Sequence, residues 1–114
     1  MIEKCNFGKM TIAGRIYDSD LWIYPDGHIR DSWWRKDGHR LHREDITALI
    51  STLPDILVVG TGIYGRMRID SDIEPHLLDM GIELTAARTK SAAGIYNDLL
   101  EKGRQVAACF HLTC

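Results

Sequence analysis

Three glycines at the end of an apolar run carry the clearest chemical suggestion in this chain. Ile56-Leu57-Val58-Val59 leads into Gly60-Thr61-Gly62-Ile63-Tyr64-Gly65, which has the spacing G-x-G-x-x-G. Glycine lacks a Cβ and tolerates positive φ, so such a loop can bring backbone N–H groups close to a phosphate. A dinucleotide site also needs a helix that opens inside the glycines and an acidic residue at the tip of the next strand. Here Arg66-Met67-Arg68-Ile69-Asp70 intervenes before any capped helix, and Glu83 falls inside the following strand. The chain is also too short for a second mononucleotide-binding half, and the absence of Gly-Lys-Ser/Thr excludes a P-loop. What survives is a sharp turn at the carboxyl end of a central strand, able to offer amides to an anion or a carbonyl.

Ligands of open α/β sheets gather at the carboxyl ends of the parallel strands. The same end is expected to hold Arg88, Thr89, Lys90 and Ser91, where two cations meet the start of a helix. Gly60, Thr61, Gly62, Arg88, Thr89 and Lys90 therefore form the candidate pocket, suited to a small anionic ligand. The sulfur chemistry leads nowhere comparable. Cys109, His111 and Cys114 are close in sequence, but no fourth ligand comes at zinc-site spacing, so no metal is expected. Cys109 is expected to be a buried, inert thiol and Cys114 idle. No complete catalytic set can be assembled, and no cofactor is implied.

Aromatic residues concentrate in the first third, with Tyr17, Trp22, Tyr24, Trp33 and Trp34. Core packing accounts for most of them, and an exposed remainder would face a partner or a second copy of the chain. Trp33, Trp34 and Arg35 are the candidate interaction surface. The basic run Arg35-Lys36-Asp37-Gly38-His39-Arg40-Leu41-His42-Arg43 is read as a solvated segment ahead of a helix.

These residues need elements to position them. At 114 residues, 45% apolar and 26% charged, the sequence has the composition of one soluble globular domain spanning residues 1–114. A net charge of −2 supplies no basic field for nucleic acid, so no nucleic-acid partner is expected. Three cysteines are too few and odd for a disulfide framework, which points to a reducing compartment. Met1 to Gly8 has the character of neither a signal peptide nor a transit peptide, and no apolar run reaches membrane-spanning length. A cytoplasmic protein without membrane insertion is expected.

The first third reads as antiparallel strands: Met10–Tyr17, Leu21–Tyr24, then a tight turn at Asp26-Gly27 before His28–Trp34. Ile46, Leu49, Ile50 and Leu53 then fall on one helical face, predicting a helix from about His42 to Leu53, stopped by Pro54. Beyond it the pattern is strand (Ile56–Val59), helix (Asp72–Met80), strand (Ile82–Ala87), helix (Thr89–Lys102) and strand (Gln105–His111). In the first of these helices Ile73, Leu77 and Met80 face inward. In the second, Thr89 is the expected cap, and Ala92, Ile95, Tyr96, Leu99 and Leu100 form the buried face. The alternation predicts an α/β fold of three layers, with a central mixed, mostly parallel sheet and an additional N-terminal antiparallel β layer.

One combination of residues is more specific. Leu57-Val58-Val59-Gly60-Thr61-Gly62, Thr89-Lys90-Ser91-Ala92 with Tyr96-Asn97, Gly103-Arg104-Gln105-Val106-Ala107-Ala108, and the ending Phe110-His111-Leu112-Thr113-Cys114 together resemble the family called domain of unknown function 498. Tyr24-Pro25-Asp26-Gly27 and Trp33-Trp34-Arg35 look like further family features. The family includes stand-alone prokaryotic domains, the adipogenesis-associated domain-containing protein and respiratory complex I assembly factor 3. The resemblance covers nearly the whole chain and implies a central mixed sheet with an added β layer. It brings no established reaction with it. By analogy with the assembly factor, it implies a binding or assembly-assisting role through protein interaction. The alternative is a small-molecule or anion-binding protein or enzyme using the strand-end pocket.

Overall fold

The structure, a computed structural model, describes residues 1–114. The chain starts with three short strands, β1 (Ile2–Asn6), β2 (Lys9–Ile12) and β3 (Arg15–Tyr17), paired antiparallel in that order. Met10 to Tyr17 is thus a hairpin and not one strand. Ala13 and Gly14 both take positive φ, +48° and +79°, the geometry of a tight two-residue turn whose twist matches the flanking strands.

The central sheet has the order β5 (Ile29–Arg30), β4 (Leu21–Ile23), β10 (Val106–His111), β7 (Ile56–Thr61), β9 (Glu83–Ala87). β10, β7 and β9 run parallel, while β4 is antiparallel to β10 and to β5. The Asp26-Gly27 turn joins β4 to β5 as predicted: the Gly27 amide donates to Tyr24 at 2.8 Å and Asp26 Oδ1 accepts the His28 amide at 2.9 Å. The strand expected from His28 to Trp34 pairs only over Ile29–Arg30, because Ser32 takes φ +54° and turns the chain away. A small parallel pair, β6 (Arg40–Leu41) with β8 (Arg68–Ile69), was not visible as periodicity, since two residues carry none.

The helix predicted over His42–Leu53 divides into a 3-10 turn (Arg43–Ile46) and α1 (Thr47–Ile50). Ile46 breaks the continuity at φ −124°, ψ 12°. α2 (Ile73–Asp79) and α3 (Thr89–Glu101) match their predicted positions. The cap of α3 is Arg88 and not Thr89, which is the first helical residue and has its hydroxyl engaged elsewhere.

Alternation along the buried strands sends side chains to opposite faces of the sheet. Ile56, Val58, Val106, Ala108 and Phe110 join one core with Ile2, Met10 and Ile12 of the N-terminal sheet and with Ala92, Ala93 and Tyr96 of α3. Leu57, Val59, Ala107 and Cys109 join a second with Trp22, Trp33, Ile46, Leu49, Ile73 and Leu77. Ile95 and Leu99 pack at the edge of the first core, whereas Leu100 is exposed, lying too far round the helix. Full burial of a side chain such as Leu57 or Phe110 stabilises the fold by about 2 kcal/mol. No helix is long and apolar enough to cross a membrane.

Candidate functional site

β7, β9 and β10 end together, at Thr61, Ala87 and His111, and the glycine loop, the start of α3 and the last residues of the chain converge there. Each glycine of the G-x-G-x-x-G spacing has a packing reason. A Cβ on Gly60 would lie 2.6 Å from Phe110 Cδ1 and 2.9 Å from Thr89 Oγ1. At Gly62, with φ +108°, it would run into the carbonyl carbon of Cys114 and lie 2.6 Å from the Cys114 oxygen and 2.9 Å from His111 Cδ2. At Gly65 it would press on Arg88 Cγ at 3.0 Å. The close approach that glycine permits is used here by the chain's own side chains and by its C-terminal segment.

The loop amides are engaged in the same way. Gly62 donates to the Thr89 hydroxyl at 2.9 Å, Ile63 to Thr113 at 2.7 Å, Gly65 to Gly62 at 3.1 Å, Arg66 to Cys114 at 2.8 Å and Met67 to Thr61 at 3.0 Å. Thr89 is fully buried; its hydroxyl in turn donates to the His111 carbonyl at 2.6 Å, and its amide donates to Gly62 at 3.0 Å. Thr61 Oγ1 donates to the Ala87 carbonyl at 3.1 Å. Of the six candidate pocket residues, Gly60, Thr61, Gly62 and Thr89 are thus brought together as a knot joining β7, β9, β10 and α3. Arg88 and Lys90 remain on the surface.

Beside this knot lies a charged trio that has no sequence signature. Asp20, just before β4, accepts from Arg35 Nη2 at 2.9 Å through Oδ2, from His111 Nδ1 at 2.7 Å through the same oxygen, and from the Leu112 amide at 2.8 Å through Oδ1. His111 Nδ1 also lies 3.0 Å from Arg35 Nη2, and its Nε2 lies 3.5 Å from Thr113 Oγ1. Burial pushes the Asp20 carboxyl up. The His111 hydrogen bond, the Leu112 amide and the charges of His111 and Arg35 outweigh it and hold the group below its ordinary value. Cys109 is fully buried near this trio, and burial pushes its thiol up to about 12, a response expected of an inert sulfur.

Arg35 itself lies inward. It donates to the Gly38 carbonyl at 2.9 Å and stacks 4.5 Å over the Trp33 ring, while its Nε and Nη1 are buried without a partner in the chain. Trp33 is also buried, its indole N–H donating to the Asp45 carbonyl at 3.2 Å. Of the three residues read as an interaction surface, only Trp34 faces water, with 79% of its area exposed. It borders an open groove of about 690 Å³ whose other walls include Arg30, Ser32, Lys36, Glu44 and Thr47.

A family model described as "Protein of unknown function (DUF498/DUF598)" matches residues 2–111. The chain is similar to the conserved hypothetical protein PH1505 of Pyrococcus horikoshii, at 30% identity over 100% of this chain and 99% of that one, with a TM-score of 0.85. A protein called MT938 shares 30% identity over 100% of this chain and 98% of its own, with a TM-score of 0.83. XCC1710 of Xanthomonas campestris, at 22% identity over 98% and 83% of the two chains, shares the fold with a TM-score of 0.80. The match over residues 2–111 and the shared fold establish that this chain belongs to the DUF498/DUF598 family.

Proposed function

We propose that this chain is a protein-interaction domain with a binding or assembly-assisting role, and that Trp34 anchors its contact surface. The observation that carries this reading is the 79% exposure of Trp34 at the rim of an open groove. An exposed tryptophan beside charged groups is the residue type on which interface energy concentrates. Three free thiols support the cytoplasm as its place of action.

The test is affinity purification at native expression of the wild type, Trp34→Ala and a control, Ile16→Ser, which alters another exposed apolar side chain on β3. Partners recovered with the wild type and the control, and lost with Trp34→Ala, are the expected result. Identical recoveries from all three would sink the reading. If Trp34 instead mediates self-association, light scattering would find an oligomer that Trp34→Ala dissolves.

A second reading has one observation in its favour. At the start of α3 the amides of Lys90 and Ser91 have no acceptor in the chain, and the exposed Arg88 and Lys90 have no acidic partner. A small anion held there would raise the unfolding temperature by mass action, and Lys90→Ala would abolish the shift. A flat response to phosphate and carboxylate metabolites would remove this alternative.

A further inference from the structure

The carboxyl end of the central sheet also displays an aromatic pair. Phe7, in the β1–β2 turn, and Tyr64, in the glycine loop, have ring centroids 5.8 Å apart and planes tilted by 43°. Phe7 is 53% exposed and Tyr64 59%. Their backbones are hung on one segment: the Gly8 amide donates to Leu112 at 2.7 Å, and the Ile63 amide to Thr113 at 2.7 Å. Two large rings held in register by backbone hydrogen bonds, yet left in water, form a prepared apolar anchor site.

The segments that carry the pair are rich in cations. Residues 5–9, 61–67, 87–94 and 111–114, which build this end, contain Lys9, Arg66, Arg88 and Lys90 and no aspartate or glutamate, although acidic residues outnumber basic ones 16 to 14 in the whole chain. All four are exposed, and none is in an ion pair. Arg88 lies against Gly65, next to Tyr64, and Lys90 lines a shallow pocket with Cys5, two residues before Phe7, and with Glu3 and Lys4. The carboxylate bonded to these segments, Asp20, is taken up by Arg35 and His111.

We propose that this face takes an acidic segment of a partner protein, with an apolar side chain of that segment seated on Phe7 and Tyr64 and its carboxylates on Lys9, Arg66, Arg88 and Lys90. An apolar centre on segments with an excess of one charge is the arrangement that gives both anchoring and steering. Single-stranded nucleic acid fits less well, since it rewards a succession of flat stacking platforms and here there is one tilted pair. A bilayer rewards a long apolar stripe, and here the apolar patch is two rings. The proposal rests on the interaction reading and adds the chemistry of a partner, on residues distinct from the Trp34 groove.

The test is a display library of random short peptides, selected on the intact protein and counter-selected on the double variant Tyr64→Ser, Arg88→Glu. The expected pool has Asp and Glu flanking an apolar residue. Its members lose about tenfold in affinity with either single variant, and lose affinity as salt rises. Tyr64→Phe retains binding, and Trp34→Ala leaves it unchanged, which separates this result from any partner captured at Trp34. Both altered side chains are exposed, and matching unfolding temperatures establish that the variants fold. An empty selection, a pool without acidic bias, or equal binding to wild type and variants overturns the proposal. Preferential binding of oligo-dT, or of vesicles rich in phosphatidylserine, overturns it in favour of nucleic acid or membrane.

Discussion

Asn97 fastens the first strand to the last helix by pairing with the backbone of Ile2: its Oδ1 accepts the Ile2 amide at 2.9 Å and its Nδ2 donates to the Ile2 carbonyl at 2.7 Å. The side-chain amide acts as a further strand at the margin of β1, satisfying both polar groups of a residue whose side chain enters the core. Asn97→Ala leaves the two groups unpaired and is expected to cost about 2 kcal/mol in urea unfolding. Hydrogen exchange should speed most at the Ile2 amide, and Asn97→Asp, which keeps the acceptor, should slow it again.

Gly62→Ala is expected to displace the C-terminal segment. The added carbon meets the carbonyl carbon of Cys114 and comes within 2.6 Å of its oxygen, and the position has φ +108°. A destabilisation of about 2 to 3 kcal/mol follows from strain and lost contacts. The Ile63 and Arg66 amides, which donate to Thr113 and Cys114, should lose protection from exchange, while amides inside β9 keep theirs.

Asp20 should set the acid limb of stability. Its folded pKa lies below the ordinary value, so the stabilisation is complete above that value, near 3.9, and is lost as pH falls through the folded pKa. Denaturant titrations from neutrality into acid should therefore show a falling unfolding free energy that Asp20→Asn flattens. At neutral pH the same variant strands the buried Arg35 guanidinium and should cost about 3 kcal/mol.

Thiol labelling should distinguish the three cysteines. Cys109 is fully buried with its thiol pushed up to about 12, so it should resist a disulfide reagent in the native protein at neutral pH. Cys5 and Cys114, both half-buried, should react first, and Cys109 only as the protein unfolds. Labelling of all three at one rate would contradict the buried position of Cys109.

Most of the second half is legible in the sequence. Ile56–Thr61, Ile73–Asp79, Glu83–Ala87, Thr89–Glu101 and Val106–His111 follow the predicted alternation, because apolar period and helix-stopping residues act within a few positions. The first third was less legible: the residues from His28 to Trp34 have strand composition, but only Ile29 and Arg30 find a partner strand. Trp33 and Arg35 looked like surface residues in a charged, aromatic run. They turned inward because Asp20, 15 residues away in sequence, and His111, 76 residues from Arg35, offer partners that no local pattern announces.

The sequence by itself determined the order of the main strands and helices from Ile56 onward, the glycine turn at the end of a buried strand and the family. It did so through local periodicity and through residues recognisable in a row. The tertiary structure alone decided what packs against the turn. Thr89 lies 27 residues from Gly62 and 22 from His111, yet one hydroxyl joins them, because parallel pairing of β7, β9 and β10 brings three strand ends to one place. The backbone space that glycine leaves at Gly60 and Gly62 is occupied there by Phe110, Thr89 and Cys114, and the amides of Gly62, Ile63, Gly65, Arg66 and Met67 are bonded within the chain.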